Sequence, residues 1–353
     1  MNYRAVTDYS FINARIRGLK SKFLTLGDYE RLVQSGTYDE FIKLMTNTHY
    51  GRLIGRDSTQ IPSPDDLSLM LSRDLAETVH SLSRSVSGNV HAFMMAYLNM
   101  FLAESLKSIL RGIHAGLDRS EILRFSVPVD EDQAAAFSRL AGSTSVDQFI
   151  EAMPYPDIKL ALVTRLHLYH EFNSTAPLEV TIDEWFLESL LEATERLPRS
   201  DRTRLLRILE PRTVMKNMLV ILRGRSLQIA PRALELSVVR FTHRSDRITR
   251  DMLSRSSWRE IVLELSGLGL SQFAAHIARL YEERQSTVDV ESAVEDHLAQ
   301  MAKAQLVGYP FHSGTVLGFL TLKYYEIRNI RSISVGIERG ESAANIRRMI
   351  TLW

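Results

Sequence analysis

The chain of 353 residues contains no cysteine. That excludes a disulfide framework and any thiolate metal site, and it is compatible with a reducing compartment. Glycine and proline are scarce, at 17 and 10, where average usage would give about 25 and about 18. So few breakers imply long helices, and an all-α protein is expected. No apolar run reaches the roughly 18 residues that a membrane-spanning helix needs. The best, residues 93–106, is interrupted by Asn99 and Glu104. The start lacks a basic leader followed by an apolar stretch, which argues against secretion. Also missing are a glycine-rich phosphate loop, a His-Glu-x-x-His zinc pair and a glycine fingerprint opening a βαβ unit. Nothing therefore points to a catalytic group, a metal or another cofactor.

What the chain has is repetition. Glu104-Ser-Leu-Lys-Ser-Ile-Leu-Arg-Gly112 returns as Lys216-Asn-Met-Leu-Val-Ile-Leu-Arg-Gly224, and once more, at the same spacing, as Arg328-Asn-Ile-Arg-Ser-Ile-Ser-Val-Gly336. A second segment, from Ser145, recurs at Ser257 with the identical offset and has a third counterpart at Thr37. Each opens with a hydroxyl residue three positions before Glu40, Gln148 or Glu260. That is the capping-box pattern of a helix start. Behind the caps, apolar residues at matched spacings of three, four and seven define one buried face. A related basic segment, Tyr9 to Lys22, stands near the start as a fourth copy of the first type. These landmarks define three similar helical modules: 1–112, expected to be completed by the C-terminal helix packing beside the N-terminal one, then 113–225 and 226–353. Turns are expected at 55–64, 116–128, 173–177 and 308–310, with a helix over 201–225 and another over 231–240.

Charge is uneven. Between Arg196 and Arg255 stand 15 Lys or Arg against five acids, although the net charge of the whole chain is only +1. Such a segment suits an acidic protein face or anionic headgroups, or is simply a solvated surface. Few aromatics for stacking and no recognisable module argue against nucleic acid. His167, His170 and Glu171 lie together on an expected helix. A metal-dependent bundle enzyme would need further ligands from other helices, and the usual Glu-x-x-His partner motif is absent, so no metal site is assigned.

Three stretches carry a family resemblance. Tyr309-Pro-Phe-His-Ser-Gly-Thr-Val-Leu-Gly-Phe-Leu-Thr-Leu-Lys-Tyr-Tyr-Glu-Ile-Arg-Asn-Ile-Arg331, the opening Tyr9-Ser-Phe-Ile-Asn-Ala-Arg-Ile-Arg-Gly-Leu-Lys20, and Met45-Thr-Asn-Thr-His-Tyr50 resemble the C subunit of V/A-type ATPases, called the d subunit in the vacuolar enzyme. The internal arginine segments fit that family's Asn-Leu-Lys-x-Ile-Leu-Arg pattern, with Ser105 where asparagine is usual and Phe311-His312 where Phe-Gly is usual. The resemblance implies a pseudo-threefold, funnel-like array of helical modules without catalysis, nucleotide, cofactor or small-molecule substrate. It also implies a place on the cytoplasmic side of a membrane, peripheral to it, between the central-stalk subunits and the membrane rotor ring. There such a protein couples ATP chemistry to proton or sodium transport. Arg15, Arg17, Lys20, Arg111, Arg223, Arg328 and Arg331 fall on the matching motifs, as contacts to a partner or as ion pairs between modules. The competing expectation is a basic helical-repeat scaffold for some other protein.

Overall fold

A computed structural model describes residues 3–55 and 61–353, and among these every regular element is helical. The expected turn at 55–64 is partly outside them, since 56–60 are not among the described residues. The chain opens with α1 (Tyr3–Lys20), α2 (Leu26–Val33), α3 (Tyr38–Thr46), α4 (Gly51–Ile54) and α5 (Pro64–Ser83). Next come α6 (Gly88–His114), α7 (Arg119–Arg124), α8 (Glu131–Leu140), α9 (Val146–Glu151), α10 (Pro156–Phe172) and α11 (Ala176–Glu195). They are followed by α12 (Arg199–Ser226), α13 (Pro231–Glu235), α14 (His243–Ser254), α15 (Trp258–Leu263), α16 (Ser271–Arg284) and α17 (Thr287–Ala304). The last two are α18 (Ser313–Glu338) and α19 (Ala343–Met349). Two compact units result: one joins Met1–Val90 to Ser292–Trp353, the other is His91–Glu291.

The capped helices form as their sequences require. Thr37, Ser145 and Ser257 each accept the N–H three residues on, starting α3, α9 and α15. The returning side chain reaches the cap's own N–H only at Ser257; Glu40 and Gln148 reach one residue earlier, to Gly36 and Thr144. Two expectations need correction. The 116–128 stretch is not all turn, because Asp118 and Glu121 form a capping box that starts α7. The 231–240 helix stops at Glu235, because the chain is drawn straight by a bond to Val239.

That bond belongs to a set. In the second unit the Asn217 side chain accepts from Val239 N–H at 3.0 Å and donates to Val239 C=O at 2.8 Å. In the first unit Asn329 does the same to Thr351, at 2.8 and 2.6 Å. Ser105 accepts from Val127 N–H at 3.0 Å. Ser105, Asn217 and Asn329 occupy the same place in the three copies of the repeat, and each grips the backbone 22 residues further on. Between the two ends of each grip lies a short helix, pressed onto a glycine. A Cβ on Gly112, Gly224 or Gly336 would lie 2.7, 2.5 or 2.8 Å from Ile122, Leu234 or Ile346 respectively. The repeat is therefore a packing recipe as well as a sequence pattern. The Tyr9–Lys22 segment shares the sequence but not the recipe: the Asn13 amide is buried without a partner, and Gly18 has open space beside it.

The helices that follow the grip differ in where the chain supplies them. In the second unit α12 packs against α13, α14 and α15, all downstream. In the first unit α18 packs against α19, and then against α2 and α3 from the opposite end of the chain. Thr25 caps α2 as Thr242 caps α14, and Thr37 caps α3 as Ser257 caps α15. α18 also packs along α1 and α5. It is almost wholly buried, from Ser313 through Lys323 and at Glu326, Asn329 and Ile330.

Replacing Asn217 with leucine keeps the volume but strands both backbone groups of Val239, so a loss of about 2–4 kcal/mol is expected in urea unfolding. Gly112→Ala should cost about 1–3 kcal/mol through overpacking. Gly18→Ala, by contrast, should be neutral or stabilise by up to about 1 kcal/mol.

Candidate functional site

The seven basic residues on the repeated segments separate into two groups. Arg15 donates to the Ser81 carbonyl at 2.7 Å and to the Ser81 and Ser85 hydroxyls. Arg331 donates to the Ser68 carbonyl at 2.9 Å and to the Ser72 hydroxyl. Both therefore hold α5, one near its end and one near its start, without a carboxylate. Burial pushes the Arg331 guanidinium below its ordinary pKa, the cost of a cation whose partners are only hydroxyl and carbonyl oxygens. Arg328 pairs with Glu295 of α17 at 2.8 Å, and Glu295 also accepts from Tyr325 at 2.6 Å. Arg223 pairs with Glu291, and Arg111 bonds the Lys107 carbonyl at 3.2 Å with Glu179 at 3.9 Å. Arg17 and Lys20, on the exposed side of α1, have no side-chain partner among the described residues. Five of the seven thus bind the fold together, and two face outward.

The metal candidates do not converge. His167 is exposed, His170 Nε2 lies 3.2 Å from Asp147, and Glu171 is 2.9 Å from Arg232. Among the described residues no group of three or more potential ligands is assembled.

The densest chemistry in the first unit comes from residues outside the seven basic candidates, although most lie in the stretches that carry the family resemblance. Lys323, on buried α18, donates to Tyr50 Oη at 2.6 Å and lies 3.6 Å from both Asp74 of α5 and Glu326. Glu326 also accepts from Leu24 N–H at 2.6 Å, and Arg52 pairs with Asp74. Burial pushes the Lys323 ammonium down and the Glu326 carboxyl up, while the opposite charges beside them resist. His49 lies against Tyr50, the rings tilted by 41° with centroids 3.9 Å apart, and turns Nε2 toward Lys323 at 3.3 Å. Burial, and then the Lys323 charge, lower its pKa to about 4. A cavity of about 90 Å³ opens among Lys22, His49, Arg52, Asp74, Thr78 and Lys323. That is the share of about three liquid waters, and Asp74 Oδ2, which accepts no hydrogen bond from the protein, offers one an acceptor. The cluster joins both ends of the chain: Lys323 and Tyr50 are 273 positions apart. A lysine in the apolar run Val316–Tyr325, with Glu326 three residues on, was the available signal. The second unit has one similar element, Lys107 between Glu104 at 3.0 Å and Asp183 at 2.7 Å. Burial opposes its charge, but the two carboxylates hold its pKa above the usual lysine value.

These internal grips and charge clusters are parts of a scaffold. The family model described as ATP synthase (C/AC39) subunit matches residues 12–349. The chain belongs to the ATP synthase (C/AC39) subunit family. It is 21% identical over 332 residues to the C subunit of the A-type ATP synthase of Methanocaldococcus jannaschii, covering 93% of this chain and 82% of that one. It is 25% identical to the protein of the same name in Halorubrum lacusprofundi, covering 95% of each. With that of Methanosarcina mazei the identity is 22%, over 98% and 93%. As a member, the chain is a non-catalytic subunit of a rotary ATP synthase, and its partners lie among the other subunits. Among the described residues no helix is long and apolar enough to cross a membrane.

The pKa of His49 gives a pH signature. The folded state holds it near 4, against 6.5 when unfolded, so between these values the unfolded chain binds more protons. Stability should therefore rise with pH across that window, and His49→Gln should flatten the rise in urea titrations at stepped pH. Lys323→Met leaves Glu326 and Asp74 without their shared cation and should cost about 3–5 kcal/mol.

Proposed function

We infer that the chain is the central-stalk adaptor of its complex, the part that joins the rotor shaft to the membrane rotor ring so that torque passes between ATP chemistry and proton or sodium movement. It would sit peripherally, on the cytoplasmic side. The single observation that carries this is the recurrence of one grip, at Ser105, Asn217 and Asn329, in even register along the chain. Three modules built to the same recipe are what a pseudo-threefold funnel around a shaft needs. The proposed divisions remain 1–112, 113–225 and 226–353. Support for closure comes from α18, which takes α2 and α3 as its neighbours, so that the two chain ends share one unit. An open solenoid has no need of that exchange. Transmitting torque also requires a stiff body, and buried ion clusters such as that of Lys323 resist shear because displacement exposes unpaired charge.

Arg17 and Lys20 are proposed as contacts to the neighbouring subunits, since no internal partner holds them. The test is co-purification of the full-length chain with the central-stalk subunits and with the detergent-solubilised rotor ring. Retention of both is expected; failure to retain either one overturns the adaptor role. Arg17→Glu with Lys20→Glu should weaken one of the two associations about tenfold without moving the thermal midpoint. Arg331→Ala should instead lower that midpoint.

A further inference from the structure

The arginine excess of residues 196–255 is only partly consumed by the fold. Arg223, Arg232, Arg244 and Arg255 pair with Glu291, Glu171, Glu210 and Glu264. Arg199, Arg202, Arg204 and Arg207, on the first turns of α12, have no ion pair or side-chain hydrogen bond among the described residues. Arg247 of α14 has none either. The two helices run side by side. Glu210 on α12 accepts from Thr242 at 2.7 Å and lies 3.6 Å from Arg244, while Asn217 bonds Thr249 at 3.2 Å. The start of α14 is thus held one turn beyond Arg207, and the same register sets Arg247 beside the middle of α12, away from its first turns. Of the nearby acids, Asp201 and Glu210 are buried and Asp246 accepts from the Phe241 N–H at 2.9 Å, while Glu195 stays exposed before the start of α12.

The duplication supplies an internal control. At the equivalent positions of the preceding copy, the four α12 arginines correspond to Ser87, Val90, Ala92 and Met95; in the following copy, to Phe311, Gly314, Val316 and Phe319. Arg244, Arg247 and Arg250 correspond in the preceding copy to Asp132, Ala135 and Ser138. A module therefore folds without these charges, and only this copy carries them. Packing does not account for them.

We propose that the exposed arginines on the first turns of α12, Arg199, Arg204 and Arg207, are a docking surface for an acidic helical segment of another protein chain. Arginine forks match carboxylates in pairs, and the α12 set spans just over two helical turns, the length over which another helix can present acids at spacings of three and four. Lipid headgroups fit less well. No large apolar side chain is exposed on the first turns of α12; the exposed Leu227 and Ile229 follow its far end, so an apolar anchor for a bilayer interface is missing beside these arginines. Nucleic acid lacks stacking partners for the same reason. The assignment is independent of the adaptor role and of which subunit supplies the acids.

The test uses the full-length chain and two probes: a fluorescent helical peptide with glutamates at spacings of three and four, and vesicles containing phosphatidylserine. Anisotropy should report peptide binding that weakens steeply with salt. Arg204→Glu with Arg207→Glu should weaken it at least tenfold at an unchanged thermal midpoint. Arg73→Glu with Arg339→Glu, two exposed arginines elsewhere, should leave it intact. No peptide binding, or equal loss in both double variants, overturns the proposal. Vesicle capture lost in the Arg204/Arg207 variant, with weak peptide binding, overturns it in favour of a lipid surface.

Discussion

A single side-chain amide, used again in register, holds each module in shape. The side-chain amides of Asn217 and Asn329 each present an NH2 and a C=O, which match the C=O and N–H of one extended residue. Such a residue, leaving a short helix and packed against a long one, buried at Thr351 and half-buried at Val239, would otherwise keep two unmet polar groups at up to about 1–3 kcal/mol each. Once the amide fixes that point, the short helix between must lie flat on the long one. The glycine at 112, 224 or 336 then becomes obligatory, because any Cβ collides with the apolar residue ten positions on. The capped helices follow at distances set by the same anchor. Ser105 shows the minimum version: its hydroxyl meets the Val127 N–H, the donor that cannot be left unpaired.

Much of this architecture is legible in the amino-acid sequence itself, for physical reasons that are local. Capping boxes, apolar faces and missing breakers act within a few residues, so α3, α9, α12, α15 and α18 fall where their patterns place them. α7 is harder to see, since six residues carry no periodic signal and only the pair Asp118 and Glu121 betrays it. The Lys323 cluster is harder still. Its members, Leu24, His49, Tyr50, Asp74 and Glu326, come from distant parts of the sequence. The seven residues on the arginine segments share motifs without sharing partners: Arg15 and Arg331 grip serines of α5, Arg328 and Arg223 meet glutamates, and Arg17 and Lys20 are unattached among the described residues.

Charge is used in two ways. Inside the first unit, Lys323, Glu326 and Asp74 are buried, with the ammonium 3.6 Å from each carboxylate across α18 and α5. Such groups are specific in position because any slip leaves a charge without its partner. On α12 the guanidinium groups of Arg199, Arg204 and Arg207 are hydrated and unopposed. They add little to stability. Duplicated modules allow this division: the packing recipe stays constant while one copy's surface diverges.

The joining of the chain ends has a consequence for birth order. The second unit, His91–Glu291, is continuous and can condense as soon as it emerges. The first cannot, because α18, the helix that its other helices surround, is synthesised near the end, with only α19 and the final residues after it. At about 5–20 residues per second, the first 90 residues wait on the order of 10–40 s for it, with the apolar faces of α2, α3 and α5 uncovered. A nascent chain of this design depends on its last long helix, and on whatever shields those faces until that helix arrives.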